Sequence, residues 1–307
     1  MAQARKKDPA QRFHFAKLDI KDGFWRLAVS DEDAWNFCYV LPSEDGDVDL
    51  DEVEIVVPNS LQMGWAESPP FFCSASETGR DVIESLLKEE SLPSHQMESL
   101  MFEEKFVYGV AAKDTINLIE VFVDDYIAIT NDTSQANILH LSRAMLHGIH
   151  SVFPPTAITG HNGEDPIAQK KLRAGEGLWQ EEKEILGWII HGGKYTISLP
   201  PEKLKSLRTL VQKYKKAKKK KTDLNSWQKL AGKLMHASFG IVGGRSLMSP
   251  IWKAMEGSPV GLPVVRAAGF ARKTGVSRKN IFQFFFVEMT KMIHQSKGLV
   301  EICSKPC

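Results

Sequence analysis

The stretch "IEVFVDDYIAIT", Ile119 to Thr130, decides the fold, because it places two adjacent carboxylates, Asp124 and Asp125, inside an apolar, β-prone run. Ionised side chains are rarely buried unless they are paired or bound to a metal. The run predicts two short strands joined by a turn at Asp124 and Asp125, since Asp is a common turn residue. Taken alone, the stretch favours an exposed turn over a catalytic site.

Composition excludes several classes of protein. The chain has 307 residues and is 43% hydrophobic, enough for a packed core and roughly two domains. No apolar run is long enough to span a membrane, and the N-terminal sequence lacks a signal peptide's apolar core. We therefore expect an intracellular protein, cytoplasmic or nuclear, without a membrane partner. The four cysteines match no zinc spacing and predict reduced thiols.

The charges are segregated, although the net charge is only +1. Residues Glu44 to Glu54 carry seven acids and no base, whereas residues Lys203 to Lys221 carry ten bases and no acid. The basic stretch predicts either a surface that meets phosphates or a solvated helix face that ends in a linker.

Hydrophobic periodicity predicts a strand-rich first part and a helical second part that meet near Pro200 and Pro201, which indicates an α+β fold. Residues 1–200 are expected to form the sheet-containing domain and residues 201–260 a helical one, with 261–307 an unassigned tail. The predicted elements are a strand at 13–20, a hairpin at 37–57, a helix capped by Ser68 through Glu90, the hairpin at 119–130, a helix at 134–150, a loop at 154–177, a hairpin at 184–200 and helices beyond Pro200.

A third acid accompanies the pair in the hairpin. The segment "KLDIKDGF" places Asp19 near the end of a strand, between the apolar residues Leu18 and Ile20. By itself Asp19 is equally well explained as a capping residue. Together with Asp124 and Asp125, however, it supplies the hard oxygen ligands that magnesium prefers in phosphoryl transfer.

Four motifs, "LDIKDGFWRL", "LQMGWAESPPFF", "FVDDY" and "ILGWII", resemble in this order the palm domain of reverse transcriptases. The later segment "SWQKLAGKLMHASFGIVGGRSLMSPI" looks like the thumb of retrotransposon enzymes, so the resemblance covers Phe13 to Trp252. It implies an RNA-directed DNA polymerase palm, in which an antiparallel sheet packs on helices, followed by a small helical thumb. The implied reaction adds deoxynucleotides from their triphosphates to a primer 3′ end on an RNA or DNA template, with two Mg²⁺ ions or, alternatively, Mn²⁺.

The resemblance assigns roles to residues of the first and third motifs. Asp19 and Asp124 stand where the family binds both catalytic metals, and the carbonyl of Ile20 would assist one ion. Asp125 stands where the family has a second hairpin acid near the primer end. Phe24 stands where an aromatic ring stacks under the incoming sugar and selects deoxynucleotides, although ordinary core packing explains this residue too.

The second and fourth motifs imply contacts with nucleotide and primer. Gln62, Met63 and Gly64 belong to the segment that cradles the incoming nucleotide. Met63 stands where retroviral enzymes often have Gln, and a sulfur atom cannot replace the hydrogen bonds of an amide. Gly187 and Trp188 match the primer grip, with a simply packed hairpin as an equal alternative.

The thumb resemblance gives the basic stretch a role. Lys203, Lys205 and Arg208 are expected to neutralise phosphates of the nucleic-acid backbone, which gives affinity without sequence specificity. The lysine run at 215–221 is left open as a loop or a nuclear-import signal.

The family's fingers region is the part without a match. Only eighteen residues precede Asp19, and Arg5, Lys6 and Lys7 do not suggest the strand pair that grips the triphosphate. We therefore expect a truncated or misannotated retroelement reading frame, with a partner chain that supplies the fingers as the alternative. Two alternatives stay open: an inactive remnant that binds nucleic acid through its basic thumb, and an unrelated metal-dependent phosphohydrolase. Host, template preference and oligomeric state are not determined by the sequence.

Overall fold

The computed structural model describes residues 11–41, 54–155, 165–216, 221–240, 244–249, 251–252 and 264–266. The basic residues at 5–7, most of the acidic loop, the lysines at 218–220 and most of the tail lie outside the described residues. The chain divides into two compact units, the first being Arg12–Glu181 and the second comprising Gln11 and the described residues from Glu182 onward. The predicted three-part division at 200 and 260 stays a prediction.

The described residues of the first unit form five strands and four α-helices. Its strands are β1 (His14–Asp19), β2 (Tyr39–Val40), β3 (Ile55–Val56), β4 (Asn117–Phe122) and β5 (Asp125–Thr130). Its α-helices are α1 (Asp31–Ala34), α2 (Ser68–Leu86), α3 (Gln135–Val152) and α4 (Gln169–Arg173). Short 3₁₀ helices lie at Gly23–Arg26, Trp35–Phe37 and Glu98–Met101. The mixture of helices and antiparallel sheets confirms the predicted α+β class.

The central sheet of this unit has the order β1-β5-β4, with all pairs antiparallel. Asp19 is the register partner of Asp125 across β1 and β5, and Phe122 is its partner across β4 and β5. Consequently the end of β1 and the turn of the hairpin meet at one edge of the sheet.

Helices α2 and α3 cover one face of this sheet. Ile138, Leu141, Met145 and Ile149 on α3 are fully buried, and their spacing of three and four residues forms one apolar stripe. Tyr126 of β5 is also buried and donates a hydrogen bond from its hydroxyl to the Ser76 carbonyl of α2, 2.8 Å away. The core thus locks the strand that carries Asp125 onto a helix.

Two local predictions need correction. Ser68 does not cap α2, because it is the first helical residue and its hydroxyl donates to the Gln62 carbonyl at 2.6 Å. The hairpin turn lies at Val123 and Asp124 rather than at the two acids, so Asp125 is the first residue of β5. In addition, the loop predicted at 154–177 contains the short helix α4, which matters for the site below.

The second unit combines a small sheet with two longer helices. Its elements are β6 (Glu182–Ile185), β7 (Trp188–His191), β8 (Thr196–Ser198), α5 (Pro201–Lys216), β9 (Lys221–Asp223), α6 (Leu224–Ser238), a 3₁₀ helix at Gly244–Leu247 and β10 (Val264–Arg266). Strands β6, β7 and β8 form an antiparallel meander, and β9 pairs with β10. The buried side chains of α5 and α6 share one core that includes Leu207, Val211, Trp227 and Leu234.

Candidate active site

An open cavity of about 870 Å³ lies in the first unit at the sheet edge where β1 ends. This volume falls within the roughly 300–1,000 Å³ of small-molecule sites. Of the predicted site residues, the cavity lining includes Asp19, Ile20, Phe24, Met63 and Asp124. The structure therefore brings residues from three separate sequence motifs to one place.

Asp19 is one of the largely enclosed carboxylates of the cavity. Its side chain is 11% exposed, and Lys171 Nζ lies 2.8 Å from its Oδ1 atom. Its backbone carbonyl accepts a hydrogen bond from Ala168 N–H at 2.9 Å. Burial lowers the pKa of Lys171, but the hydrogen bond and charge of Asp19 outweigh burial and leave that pKa above its ordinary value.

Asp124 is held by a tight turn. Val123 before it has a φ of 57°, a left-handed conformation that a β-branched residue rarely adopts. The Asp124 carbonyl accepts a hydrogen bond from Ile20 N–H at 2.9 Å, which ties the hairpin directly to the residue after Asp19. The backbone thus holds the two motifs that carry Asp19 and Asp124 side by side.

Asp125 has different surroundings and does not belong to the cavity lining. Lys17 Nζ lies 3.4 Å from its Oδ1 atom, at ion-pair distance, and also 3.1 Å from Glu176 Oε2. Burial raises the pKa of Asp125; Lys17 opposes this rise, and the charges of Asp19 and Asp124 add to it. The catalytic role that was predicted for Asp125 stays a prediction.

Phe24 lies in the 3₁₀ helix that follows Asp19 and packs against Phe72, with ring centroids 5.2 Å apart. Phe72 is fully buried in the core of the first unit. A Cβ atom at Gly23 would lie 2.7 Å from Phe72 Cζ, so only glycine allows this close approach. Phe24 is half-buried, which satisfies core packing while its ring still lines the cavity.

The three predicted nucleotide-binding residues, Gln62, Met63 and Gly64, have different surroundings in the structure. Met63 is 70% exposed and lines the cavity. The Gln62 amide instead donates to the Ser60 carbonyl at 2.9 Å, and Gln62 is not among the lining residues. Gly64 has a φ of +103°, and an added Cβ atom there would have nothing within 4 Å. Gly64 is not among the residues that line the cavity.

Sequence reasoning missed one whole wall of the cavity. Asp165, Ile167, Ala168, Gln169, Lys170 and Lys171 line it, and they come from the segment predicted to be a loop. With Lys21, the two lysines provide three cations beside the carboxylates Asp19, Asp22, Asp124 and Asp165. The lysine pair of α4 was the only signal in the sequence, and nothing local linked it to Asp19.

The predicted primer-grip residues lie in the second unit, at the turn between β6 and β7. Leu186 and Gly187 both have positive φ, 49° and 78°, as the two-residue turn of a hairpin requires. Trp188 is only 7% exposed and stacks on His236 with ring centroids 5.2 Å apart. This packing agrees with the simply packed hairpin, and the contact with a primer stays a prediction.

The predicted backbone-binding cations lie on α5. Lys203 donates to Glu184 Oε1 at 2.7 Å, so part of its charge is neutralised within the second unit. Lys205 is exposed, and Arg208 is half-buried. Their binding to nucleic acid likewise stays a prediction.

Magnesium fits the donor types of the cavity, because Asp19, Asp124 and the Ile20 carbonyl all offer hard oxygen atoms. Within the described parts of the chain, no three His, Cys, Asp or Glu side chains form a group that could hold a metal. The Lys171 ammonium contacts Asp19 directly and would compete with a cation for that carboxylate.

None of the described helices combines the length and apolar character of a membrane-spanning segment.

The fold has similar examples among solved structures, whereas the sequence has no match. No family model matches the sequence. No curated protein matches it either. The fold is similar to that of a foamy viral protease-reverse transcriptase in complex with double-stranded DNA, with a TM-score of 0.45 and 15% sequence identity. The match covers 90% of this chain but only 36% of that one, so the chain spans about a third of the viral protein's length.

Proposed function

We propose that the first unit is the palm of a retrotransposon RNA-directed DNA polymerase, and that it adds deoxynucleotides to a primer 3′ end. One observation carries the proposal: Asp19 at the end of β1 and Asp124 at the hairpin turn line the same cavity as Phe24. Metal-dependent transfer of a phosphoryl group requires such convergent carboxylates next to a surface that positions the substrate.

The charges of the cavity suit a metal-bound triphosphate. Its carboxylates would hold the cations, and its lysines would contact the phosphate oxygens. Lys171 is placed to do so because it sits beside Asp19 and is half exposed. An ammonium group binds phosphate as a point charge and stabilises negative charge that develops during transfer.

Asp19, Asp124 and the Ile20 carbonyl would hold the two magnesium ions. When bound, the ions would stabilise both the attacking and the leaving oxygen of the in-line displacement. Phe24, fixed by Phe72, would offer its ring to the sugar of the incoming nucleotide. In this proposal the α5 cations Lys203, Lys205 and Arg208 belong to a thumb that binds the duplex through its phosphates.

The contact between Lys171 and Asp19 also favours a second candidate. The Lys171 ammonium occupies the position beside Asp19 that a metal ion would need, so the cavity could have an internal cation in place of a metal. In that case the chain binds nucleic acid without catalysis. This candidate keeps the basic helix α5 and gives no role to Asp124.

Primer extension on an RNA template with deoxynucleoside triphosphates and Mg²⁺ or Mn²⁺ tests the first proposal. We expect Asp124→Asn to reduce extension about a hundredfold or more, since a metal supplies several kcal/mol of charge stabilisation. Glu120→Gln is the matched control, because Glu120 lies on β4 of the same hairpin, is exposed and does not line the cavity.

Extension that survives in Asp124→Asn would overturn the polymerase proposal. If the wild type does not extend a primer but binds duplexes in a salt-sensitive way, the second candidate holds. Release of phosphate from triphosphates without a template would contradict both and would indicate a phosphohydrolase.

A further inference from the structure

One face of α3 is polar and faces the chain segment between α2 and the 3₁₀ helix at Glu98–Met101. Four side chains, spaced three and four residues apart, form this face: His140, Arg143, His147 and His150. Three of them bind backbone carbonyls of the segment: His140 that of Leu87, Arg143 that of Leu92 and His147 that of Pro93, at 3.0–3.3 Å. His150 is the exception, because it binds only side chains.

His150 stands in a chain of three hydrogen bonds whose direction is determined at one end. The Met97 N–H donates to His95 Nδ1 at 3.2 Å, so in the neutral ring the proton must be on Nε2. His95 Nε2 lies 3.1 Å from His150 Nδ1, which therefore accepts, and the proton of His150 must be on its own Nε2. That atom lies 3.1 Å from Asp165 Oδ1.

Asp165 connects this chain of bonds to the cavity. Its Oδ1 atom also accepts from Ile167 N–H at 2.8 Å, and its carbonyl accepts from Arg26 Nη2 at 3.0 Å. The next residues pair with the motif that carries Asp19 through two further bonds, Lys21 N–H to the Pro166 carbonyl and Ala168 N–H to the Asp19 carbonyl. The backbone of Asp19–Lys21 is thus hydrogen-bonded to the backbone of residues 166–168.

The electrostatics of the cluster agree with a neutral ring at His95. Burial lowers the pKa of His95 to about 4, with help from His150 and His147, against the opposing charges of Asp165 and Glu98. Burial raises the pKa of Asp165, but the bonds from His150 and the Ile167 amide outweigh burial and leave the pKa below its ordinary value. Arg143 is engaged elsewhere, because its guanidinium pairs with Glu98 at 2.7 Å.

We propose that His150, oriented by His95, is a positioning residue that anchors Asp165 and so holds residues 166–168 against the backbone of Asp19. The side chains of His150 and Asp165 are only 12% and 8% exposed, as expected of an internal anchor. The proposal goes beyond the polymerase reading, because it concerns how one wall of the cavity is positioned, whichever reaction takes place there.

Amide hydrogen exchange of Ile167 and Ala168 in three variants of the full chain tests this role. In His150→Gln, the amide oxygen can accept from His95 and the amide nitrogen can donate to Asp165, as the imidazole does. His150→Ala can do neither. His147→Gln is the matched control, since His147 lies on the same face of α3, hydrogen-bonds the Pro93 carbonyl, and meets His95 through an edge-to-face ring contact rather than through a hydrogen bond.

We expect His150→Ala to speed exchange at Ile167 and Ala168 about tenfold, the effect of one lost internal hydrogen bond. His150→Gln and His147→Gln should stay within about twofold of the wild type, and the amides of β5 should be unchanged in all three. If His150→Ala does not fold, His150→Asn replaces it, because its side chain is too short to reach both partners.

Unchanged exchange in His150→Ala, or His150→Gln as fast as His150→Ala, would overturn the proposal. Nitrogen-15 NMR of the rings at neutral pH gives an independent reading. Both His95 and His150 should carry their proton on Nε2, and the opposite tautomer at His150 would contradict the assigned direction of the bonds. Neither measurement needs enzymatic activity, so a negative polymerase assay leaves this test valid.

Discussion

Gly187 shows how strongly one backbone position constrains the second unit. Its φ of +78° belongs to the left-handed region, and a Cβ atom there would lie 2.9 Å from Lys203 Nζ. We expect Gly187→Ala to lower the free energy of unfolding by about 1–2 kcal/mol, the cost of a left-handed conformation in an L-residue. Denaturant unfolding followed by tryptophan fluorescence measures the change.

Gly232 provides the control for this substitution. It lies in α6, is exposed, and has nothing within 4 Å of an added Cβ atom. Gly232→Ala should therefore raise the free energy of unfolding by about 0.5–1 kcal/mol through helix propensity. Equal effects of the two substitutions would show that the turn at Gly187 is not constrained.

Lys171 is a single residue that affects the affinity of the cavity for a metal cation. Because its ammonium contacts Asp19, we expect Lys171→Met to tighten Mn²⁺ binding about two- to fivefold, the value of a partly exposed ion pair. Titration calorimetry or electron paramagnetic resonance measures the affinity. Lys170→Met is the control, since Lys170 also lines the cavity, whereas the ion pair with Asp19 is made by Lys171. Weaker Mn²⁺ binding in Lys171→Met would contradict the competition.

Behind the site, helix α2 contacts strand β5 where Gly79 lies against Tyr126. An added Cβ atom at Gly79 would collide with the Tyr126 hydroxyl, which is bonded to the Ser76 carbonyl. We expect Gly79→Ala to destabilise the first unit by about 1–3 kcal/mol, as overpacking does. Tyr126→Phe should lessen this cost, because it removes the colliding atom.

A double-mutant cycle for Gly79→Ala and Tyr126→Phe measures the coupling, which we expect to be about 0.5–3 kcal/mol in the stabilising direction. Gly148→Ala is the control. Its added Cβ atom would meet Ile83 of α2 instead, so Tyr126→Phe should not relieve it. If the effects of Gly79→Ala and Tyr126→Phe on the free energy of unfolding are additive, the Tyr126 hydroxyl is not what opposes a Cβ atom at Gly79.

The stability of the folded chain depends on pH through His95. Its pKa in the folded state, about 4, lies below the ordinary value of 6.5, so between these values the unfolded chain binds more protons. The contribution of His95 therefore lowers the free energy of unfolding as the pH falls from about 6.5 towards 4, and levels off below. Thermal unfolding across this range should show the loss.

His95→Gln separates this contribution from that of the carboxylates. Its amide can accept from Met97 N–H and donate to His150, but it does not titrate. We expect its midpoint temperature to fall less than that of the wild type between pH 7 and pH 5. Parallel curves for the two proteins would show that His95 is as free to take a proton in the folded state as in the unfolded one.

Much of the fold could be predicted because its signals are local. The alternation of apolar residues in β1 and in the 119–130 hairpin, and the apolar stripe of α3, depend only on neighbours along the chain. The turn was misplaced by one residue, because Asp is a frequent turn former and Val123 adopts a left-handed conformation that its own side chain disfavours. Turn propensity therefore predicted the turn at Asp124 and Asp125, whereas the strand register places it at Val123 and Asp124.

The sequence by itself determined the α+β class, the strand that carries Asp19, the 119–130 hairpin and the presence of acids where strands end. Only the tertiary structure decided that Asp125 faces Lys17 outside the cavity while Lys171 and Asp165 reach it. The physical reason is distance along the chain. Backbone periodicity is set by adjacent residues, whereas contacts across about 150 positions depend on the packing of helices against the sheet, which no local pattern encodes.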